Sequence, residues 1–311
     1  MVTKTFGDTL FPGTEFLEFP SPESLKGKIL ISTKPPKESD DTLEKSEDFT
    51  DMSLPSESGS KKGNEFDMQI KPHEMDEAEA EEEDESSIPK YVNLIAIHAM
   101  KRKGGLENLL KDDSKRVARL SLSEQRLEDA VRTLGTDIVR FTQRNLLRIY
   151  PRGSRILSSN YNPFTAWIQG AQMVAFNMQG YGKYLWVMQG VFRANGGCGY
   201  VKKPRLLLDV GPNDEVFDPN SIVQVKKTLK VKVYMGDGWH LHFRRTHFDL
   251  FSPPDFFTKL QIYGVPADRK KAKTEPREDQ WVPVWNKEFE FPLTVPELAQ
   301  LRIEVRECDM T

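Results

Sequence analysis

The sequence is short of the features that would place it in several common classes. Its two cysteines, Cys198 and Cys308, sit in contexts (GGCGY and RECDMT) that match no metal-ligand spacing. That excludes a disulfide framework and a zinc cluster, and predicts two reduced thiols. No apolar stretch approaches the roughly 20 residues that span a bilayer, so no transmembrane segment is expected. The opening residues, MVTKTFGDTLFPG, carry no hydrophobic core of the secretory kind, and a cytosolic location is expected. Histidine is scarce too, with only His73, His98, His240, His242 and His247. His240 and His242 have the spacing of two ligands on one strand face, but no third ligand stands nearby, so packing or surface placement is expected. Asn195-Gly-Gly-Cys-Gly199 lacks both the spacing and the lysine of a Walker loop, and a tight turn explains it.

Charge, by contrast, is abundant and unevenly placed. Over 311 residues the formal net charge is only -3, yet residues 36 to 89 hold 19 Asp plus Glu against 5 Lys, a balance of -14 that leaves +11 for the rest. The chain is basic with an acidic insert. A positive surplus points to an anionic partner, nucleic acid or a phospholipid surface. The basic residues are spread rather than interleaved with aromatics along one stripe, which argues against nucleic acid. The insert (ESDDTLEKSEDFTD, SESGSKKG, EAEAEEEDESS) has no hydrophobic period and too little apolar surface to offset the entropy of ordering, so it is expected to be disordered. Its simplest meaning is a solvated spacer; the sharper one is an acidic flap over a basic site elsewhere in the chain.

The length fits about two domains. Ile29 to Ser32 and Tyr91 to Ile97, on either side of the insert, are short apolar runs rich in β-branched residues, as buried strands require. Ser121-Leu-Ser-Glu124 fits a capping box, and Leu127, Ala130, Val131 and Leu134 recur at helical spacing until Gly135, which predicts a helix between those points. A strand is expected over Leu146 to Tyr150, a helix near Thr165 to Gln172, and an apolar run over Met173 to Met178. Repeated βα units imply a largely parallel sheet with helices outside. Near residue 215 the pattern changes. Leu229, Val231 and Val233 alternate with lysines, Phe289, Phe291 and Leu293 with Glu288, Glu290 and Pro292, and Leu301, Ile303 and Val305 with charged residues. With a further strand over Phe256 to Tyr263, the region is an antiparallel β-sandwich entered through a linker at Glu215 to Thr228.

The segments FPSPESLKGKILISTKPPKE, LSLSEQ, VRFTQRNLLRIYPRGSRILSSNYNP, WIQGAQMVAFNMQG, FRANGGCGYVKKP, FDLFSPPDFF and FPLTVPELAQLRIEV closely resemble plant phosphoinositide-specific phospholipase C. The resemblance implies a fold of α/β plus all-β type, the second half of a TIM-like barrel followed by an incomplete antiparallel C2-like sandwich. It assigns residues 1–35 to the end of the X box, 36–89 to the acidic X/Y linker, 90–206 to the Y box, 207–226 to a connector and 227–311 to a truncated C2 domain. It further implies hydrolysis of phosphatidylinositol bisphosphate to diacylglycerol and inositol trisphosphate, with calcium as cofactor, by a protein peripheral to the plasma membrane that contacts anionic phospholipids. The family's catalytic histidines and the ligands of its catalytic calcium belong to the first half-barrel, and this sequence begins after them. No catalytic residue is therefore assigned, and the chain alone is expected to be inactive; the alternative is a non-catalytic phosphoinositide- or membrane-binding regulator.

The resemblance assigns the substrate-gripping side to Lys34, Ser121, Arg148 and Tyr150, with Ser32 standing where the family has a second phosphate-binding lysine. Arg148 offers a planar fork of donors to a phosphate near a strand end, although a surface ion pair would also explain it. Ser121 also serves as a helix N-cap, and Tyr150 could equally be a packing residue. In the C2 region the resemblance gives Asp255, Glu307 and Asp309 as calcium ligands, in keeping with the preference of calcium for oxygen donors. Arg269, Lys270, Lys271 and Lys273 are candidates for membrane contact, at about 1 kcal/mol per basic residue near an anionic surface. A solvated hairpin loop explains that run equally well.

Overall fold

The computed structural model describes residues 1–11, 13, 18–34, 91–100, 105–111, 116–221, 224–242 and 253–308. The acidic insert and Asp309 lie outside the described residues. After a short helix α1 (Val2–Phe6), the first layer is a five-stranded parallel sheet in simple order: β1 (Ile31–Thr33), β2 (Ile95–Ala99), β3 (Ala118–Ser123), β4 (Leu146–Tyr150) and β5 (Met173–Val174). Helices α2 (Leu106–Leu110), α3 (Glu124–Arg144), α4 (Phe164–Trp167) and α5 (Lys183–Arg193) follow the strands. Consecutive strands with helical crossovers are the pattern of an opened (β/α) barrel.

Period 2 governs β3 and β4. In Ala118-Arg-Leu-Ser-Leu-Ser123 the residues 118, 120 and 122 are buried and those between are half-buried, and β4 alternates likewise. Leu120, Leu122, Leu147 and Ile149 turn to the helix side, where they pack with Leu127, Ile138 and Phe141 of α3. Each is at most 2% exposed, so each contributes about 1.5–3 kcal/mol of burial. The opposite face of the sheet is left to Arg119, Ser121, Arg148 and Tyr150.

Here the structure corrects several local expectations. Ser121 lies in the middle of a strand and does not cap the helix; the cap is Ser123, whose Oγ accepts from the Arg126 N–H at 3.4 Å. The strand alternation through 118–123 overrides the capping-box spacing. Gly135 does not end α3 either. Leu134 departs from helical angles (φ -122°, ψ 24°), yet the helix runs on to Arg144 because Ile138, Val139, Phe141 and Thr142 continue the buried stripe. Burial on that scale exceeds the roughly 1 kcal/mol a glycine costs inside a helix. The strand before Ile97 begins only at Ile95, after a 3₁₀ turn over Val92–Leu94. The helix expected at Thr165 to Gln172 is the single turn α4, and only Met173–Val174 of the next apolar run is strand. Asn195, Gly196, Gly197 and Gly199 all have positive φ, the tight turn foreseen there.

The second layer pair is antiparallel: a two-stranded sheet of β6 (Lys227–Met235) and β9 (Val284–Leu293), and a three-stranded sheet in the order β10 (Gln300–Glu307), β7 (Phe256–Tyr263), β8 (Lys271–Lys273). Leu260, Ile262, Phe291 and Leu293 form the core between them. Ile303 and Val305, beside Leu260 and Thr258 in register, remain 57% and 39% exposed. A third cluster joins the two units. Phe164 stacks on Tyr263 at 5.3 Å between ring centroids, with Ile168, Val187, Val265 and Val295 around them.

Candidate functional site

Register fixes what the open face of the parallel sheet presents. Ser121 stands opposite Arg148, and Ser123 opposite Tyr150. Ala99 stands opposite Arg119, and Ser32 opposite Ile97, so β1 places Ser32 on the same face and alternation adds Lys34 one residue past the strand. The five residues assigned by resemblance thus share one face of one sheet, toward its C-terminal end, where sites of (β/α) barrels lie. The guanidinium carbon of Arg148 sits 5.4 Å from the centre of the Tyr150 ring, a cation-π contact that holds the fork in place. Lys34 is exposed, and the Ser32 hydroxyl is buried without a hydrogen-bond partner among the described residues. Among the described residues no histidine joins this face. His98 shares its register position with Ala118 on the other side of the sheet, and His240 lies in helix α6 (Trp239–His242) with its ring 6.1 Å from that of Trp281.

The loop after β4 is fastened below the face. Glu124, the first residue of α3 and 4% exposed, accepts from the Arg155 Nε and Nη2 groups at 2.5 Å each and from the Arg152 N–H at 2.9 Å. Burial pushes the Glu124 carboxyl upward, but the Arg155 and Arg152 hydrogen bonds outweigh it and hold the group below the usual carboxylate range. Arg155 also donates to Ser159 Oγ at 3.0 Å, and the Asn160 side chain both donates to the Asn177 carbonyl and accepts its N–H. Between these anchors Ile156 and Leu157 are 92% and 91% exposed. The braced loop thus holds two adjacent apolar side chains in water.

The basic run at 269–273 differs from the expected loop. Lys271 and Lys273 lie on the outer face of edge strand β8, and Lys273 pairs in register with Lys259 of β7. Lys270 points elsewhere, donating to the Glu290 carbonyl at 3.1 Å, and the Arg269 Nε donates to the Gly264 carbonyl at 3.1 Å. Strand alternation thus splits the run in two.

At the neighbouring end of this sandwich Asp255 and Glu307 approach through the backbone, since the Cys308 N–H donates to the Asp255 carbonyl at 2.8 Å. One Asp255 carboxylate oxygen already accepts from the Asp279 N–H at 2.8 Å. Among the described residues no group of three His, Cys, Asp or Glu could hold a metal ion, and Asp309, the third ligand given by the resemblance, lies outside them.

Sequence reasoning missed Arg119, the Glu124–Arg155 clamp and the Ile156–Leu157 pair. The alternation in Ala118-Arg-Leu-Ser-Leu-Ser123 carries the signal for the first; nothing local announces the clamp, whose partners are 31 residues apart.

Comparison with known proteins places this geometry. Residues 94–206 match the family described as phosphatidylinositol-specific phospholipase C, Y domain, and residues 227–311 match the C2 domain family. The chain is 54% identical to phosphoinositide phospholipase C 6 and 53% identical to phosphoinositide phospholipase C 2 of Arabidopsis thaliana, in each case over its full length. It covers 53% and 56% of those proteins, and so spans about half the length of the curated relatives it matches. The crystal structure of L. pealei PLC21 superimposes with a TM-score of 0.65 at 24% identity, over 98% of this chain and 36% of that one, a likeness of fold.

Proposed function

The chain belongs to the phosphoinositide-specific phospholipase C family, and from that premise we propose that its half-barrel grips the phosphorylated inositol headgroup while the C2 unit seats the molecule on an anionic membrane. The observation that carries this reading is the register that gathers Ser32, Lys34, Ser121, Arg148 and Tyr150 on one sheet face. Arg148 supplies a bidentate fork for a phosphate, and Lys34 a point charge. Ser121 supplies a hydroxyl, and the Tyr150 ring gives the inositol a flat wall while orienting Arg148. The Glu124–Arg155 pair fixes the loop from which Ile156 and Leu157 meet the acyl boundary, and Lys271 and Lys273 add attraction to anionic headgroups.

In the whole enzyme this face serves hydrolysis of phosphatidylinositol bisphosphate to diacylglycerol and inositol trisphosphate. Activating the inositol hydroxyl for attack on its own phosphodiester requires a general base, protonating the departing glycerol oxygen requires a general acid, and the cyclic phosphate so formed must then be opened by water to give inositol trisphosphate. Among the described residues no histidine pair stands on the face to do either. For the 311 residues on their own the proposal is headgroup binding. Calcium use is proposed for the whole enzyme by family likeness.

Co-sedimentation with phosphatidylcholine vesicles, with and without phosphatidylinositol bisphosphate, tests the reading. The chain should pellet with the phosphoinositide vesicles and release no inositol trisphosphate, and Arg148→Ala should weaken that binding about tenfold. Equal binding to both vesicle types, or release of inositol trisphosphate by the chain alone, contradicts it.

A further inference from the structure

We propose that Arg119 is a further anion ligand of this face, binding a second phosphate of the inositol ring one layer below Arg148 and thereby selecting rings that carry more than one phosphate. The inference rests on the headgroup reading above and goes beyond it to a residue and a specificity. Arg119 lies in β3 two residues before Ser121, opposite Ala99 of β2 on one side and Leu146 of β4 on the other. It is therefore a diagonal neighbour of Arg148, a spacing of about 7–8 Å between strands. Ala99 offers only a methyl group beside it.

The Arg119 Nε is buried, and among the described residues no acceptor bonds to it. A buried charged donor without an acceptor costs more than the roughly 1–3 kcal/mol of a neutral one. A second buried polar atom on the same face, the Ser32 Oγ, is likewise without a partner. Among the described residues the positions that share the face carry three cations, Lys34, Arg119 and Arg148, and no carboxylate. Two guanidinium groups at diagonal spacing repel unless an anion lies between them. A stability-driven sequence would place an apolar residue at 119, as it does at Leu146 opposite. An arginine whose buried Nε has no acceptor among the described residues is one that a planar, multiply charged oxyanion can complete.

Thermal melting of the 311-residue chain tests this, with inositol 1-phosphate and inositol 1,4,5-trisphosphate as probes and Arg119→Met, Arg119→Lys and Arg148→Ala as variants. Arg119→Met should melt higher than the native chain without ligand, since a charge lacking an acceptor is replaced by an apolar side chain of similar length. Its apparent affinity for the trisphosphate, read from the ligand-induced rise, should fall at least tenfold. Arg119→Lys should stay folded, keep the monophosphate response and lose most of the preference for the trisphosphate. If Arg119→Met melts lower and responds to the trisphosphate as the native chain does, Arg119 is a structural residue and the proposal is overturned. If only Arg148→Ala loses the response, the headgroup reading stands and this inference alone fails. No trisphosphate response from the native chain would remove the reading and the inference together.

Discussion

Glu124 and Arg155 are 31 residues apart, and two oxygens of one meet two nitrogens of the other at 2.5 Å. The pair ties the start of α3 to the loop after β4, so the strand end that bears Arg148 and Tyr150 is fixed to the helix that follows β3. Removing one member leaves the other charge buried and alone, which costs about 3–5 kcal/mol. Arg155→Met should therefore destabilise more than Glu124→Gln, because the glutamine still accepts from the Arg152 N–H. Urea titrations of both variants would check the order.

The same carboxylate gives an acid dependence of definite sign. The Glu124 group is held below its ordinary range in the folded chain, so its contribution is complete above the unfolded value near 4.5 and is lost as pH falls through the folded one. Stability measured from pH 6 down to pH 3 should fall more steeply in the native chain than in Glu124→Gln; parallel curves would contradict the assignment.

Lys203 supplies a pH dependence at the other end of the scale. Its Nζ donates to the Thr142 carbonyl in the last turn of α3 at 2.6 Å, and burial pulls its pKa down to about 8. Between pH 8 and 10.5 the unfolded chain then holds more protons than the folded one, so stability rises with pH across that window, by up to roughly 3 kcal/mol. Lys203→Met should flatten the rise. Gly170, at φ +80°, makes the contact possible, since a Cβ there would lie 2.8 Å from the Lys203 Nζ.

The joint between the two units is aromatic. Phe164 is 4% exposed and stacks on Tyr263 across it. Phe164→Ala should cost about 3–5 kcal/mol and split one calorimetric transition into two. A single transition, merely shifted, would mean that the remaining contacts of the cluster suffice to couple the units.

Lys271 and Lys273 face outward on β8, whereas Lys270 is spent on the Glu290 carbonyl. Charge reversal at 271 and 273 together should weaken binding to vesicles of anionic phosphatidylserine more than tenfold at low salt, since each site exchanges an attraction of about 1 kcal/mol for a repulsion. Reversal at 270 should act chiefly on stability. Equal effects from the two changes in vesicle binding would count against the split of the run.

Strands with strict alternation were legible in the sequence: Leu146 to Tyr150 and Phe256 to Tyr263 fall where the pattern puts them, because one face of each must be buried. The segment 118–123 was not legible as strand, because Ser121-Leu-Ser-Glu124 also satisfies a capping pattern and only pairing with β4 decides between the two. Gly135 misled for a related reason, since local propensity ends a helix there and tertiary burial of Ile138 and Phe141 carries it on. The site residues came from resemblance rather than from spacing, and only register shows that Ser32 and Arg148, 116 positions apart, share a face. The place of Arg119 follows from the alternation of 118–123 once that segment is read as strand, whereas the Glu124–Arg155 clamp depends on a contact that no local pattern encodes.

The central claim is that the headgroup sits on the face shared by β3 and β4. Hydrogen-deuterium exchange of the 311-residue chain with and without inositol 1,4,5-trisphosphate tests it most directly. The account predicts slowed exchange in peptides covering 118–123 and 146–161, and none in those covering 256–273. Protection confined to 256–273, or absent throughout at saturating ligand, would contradict it.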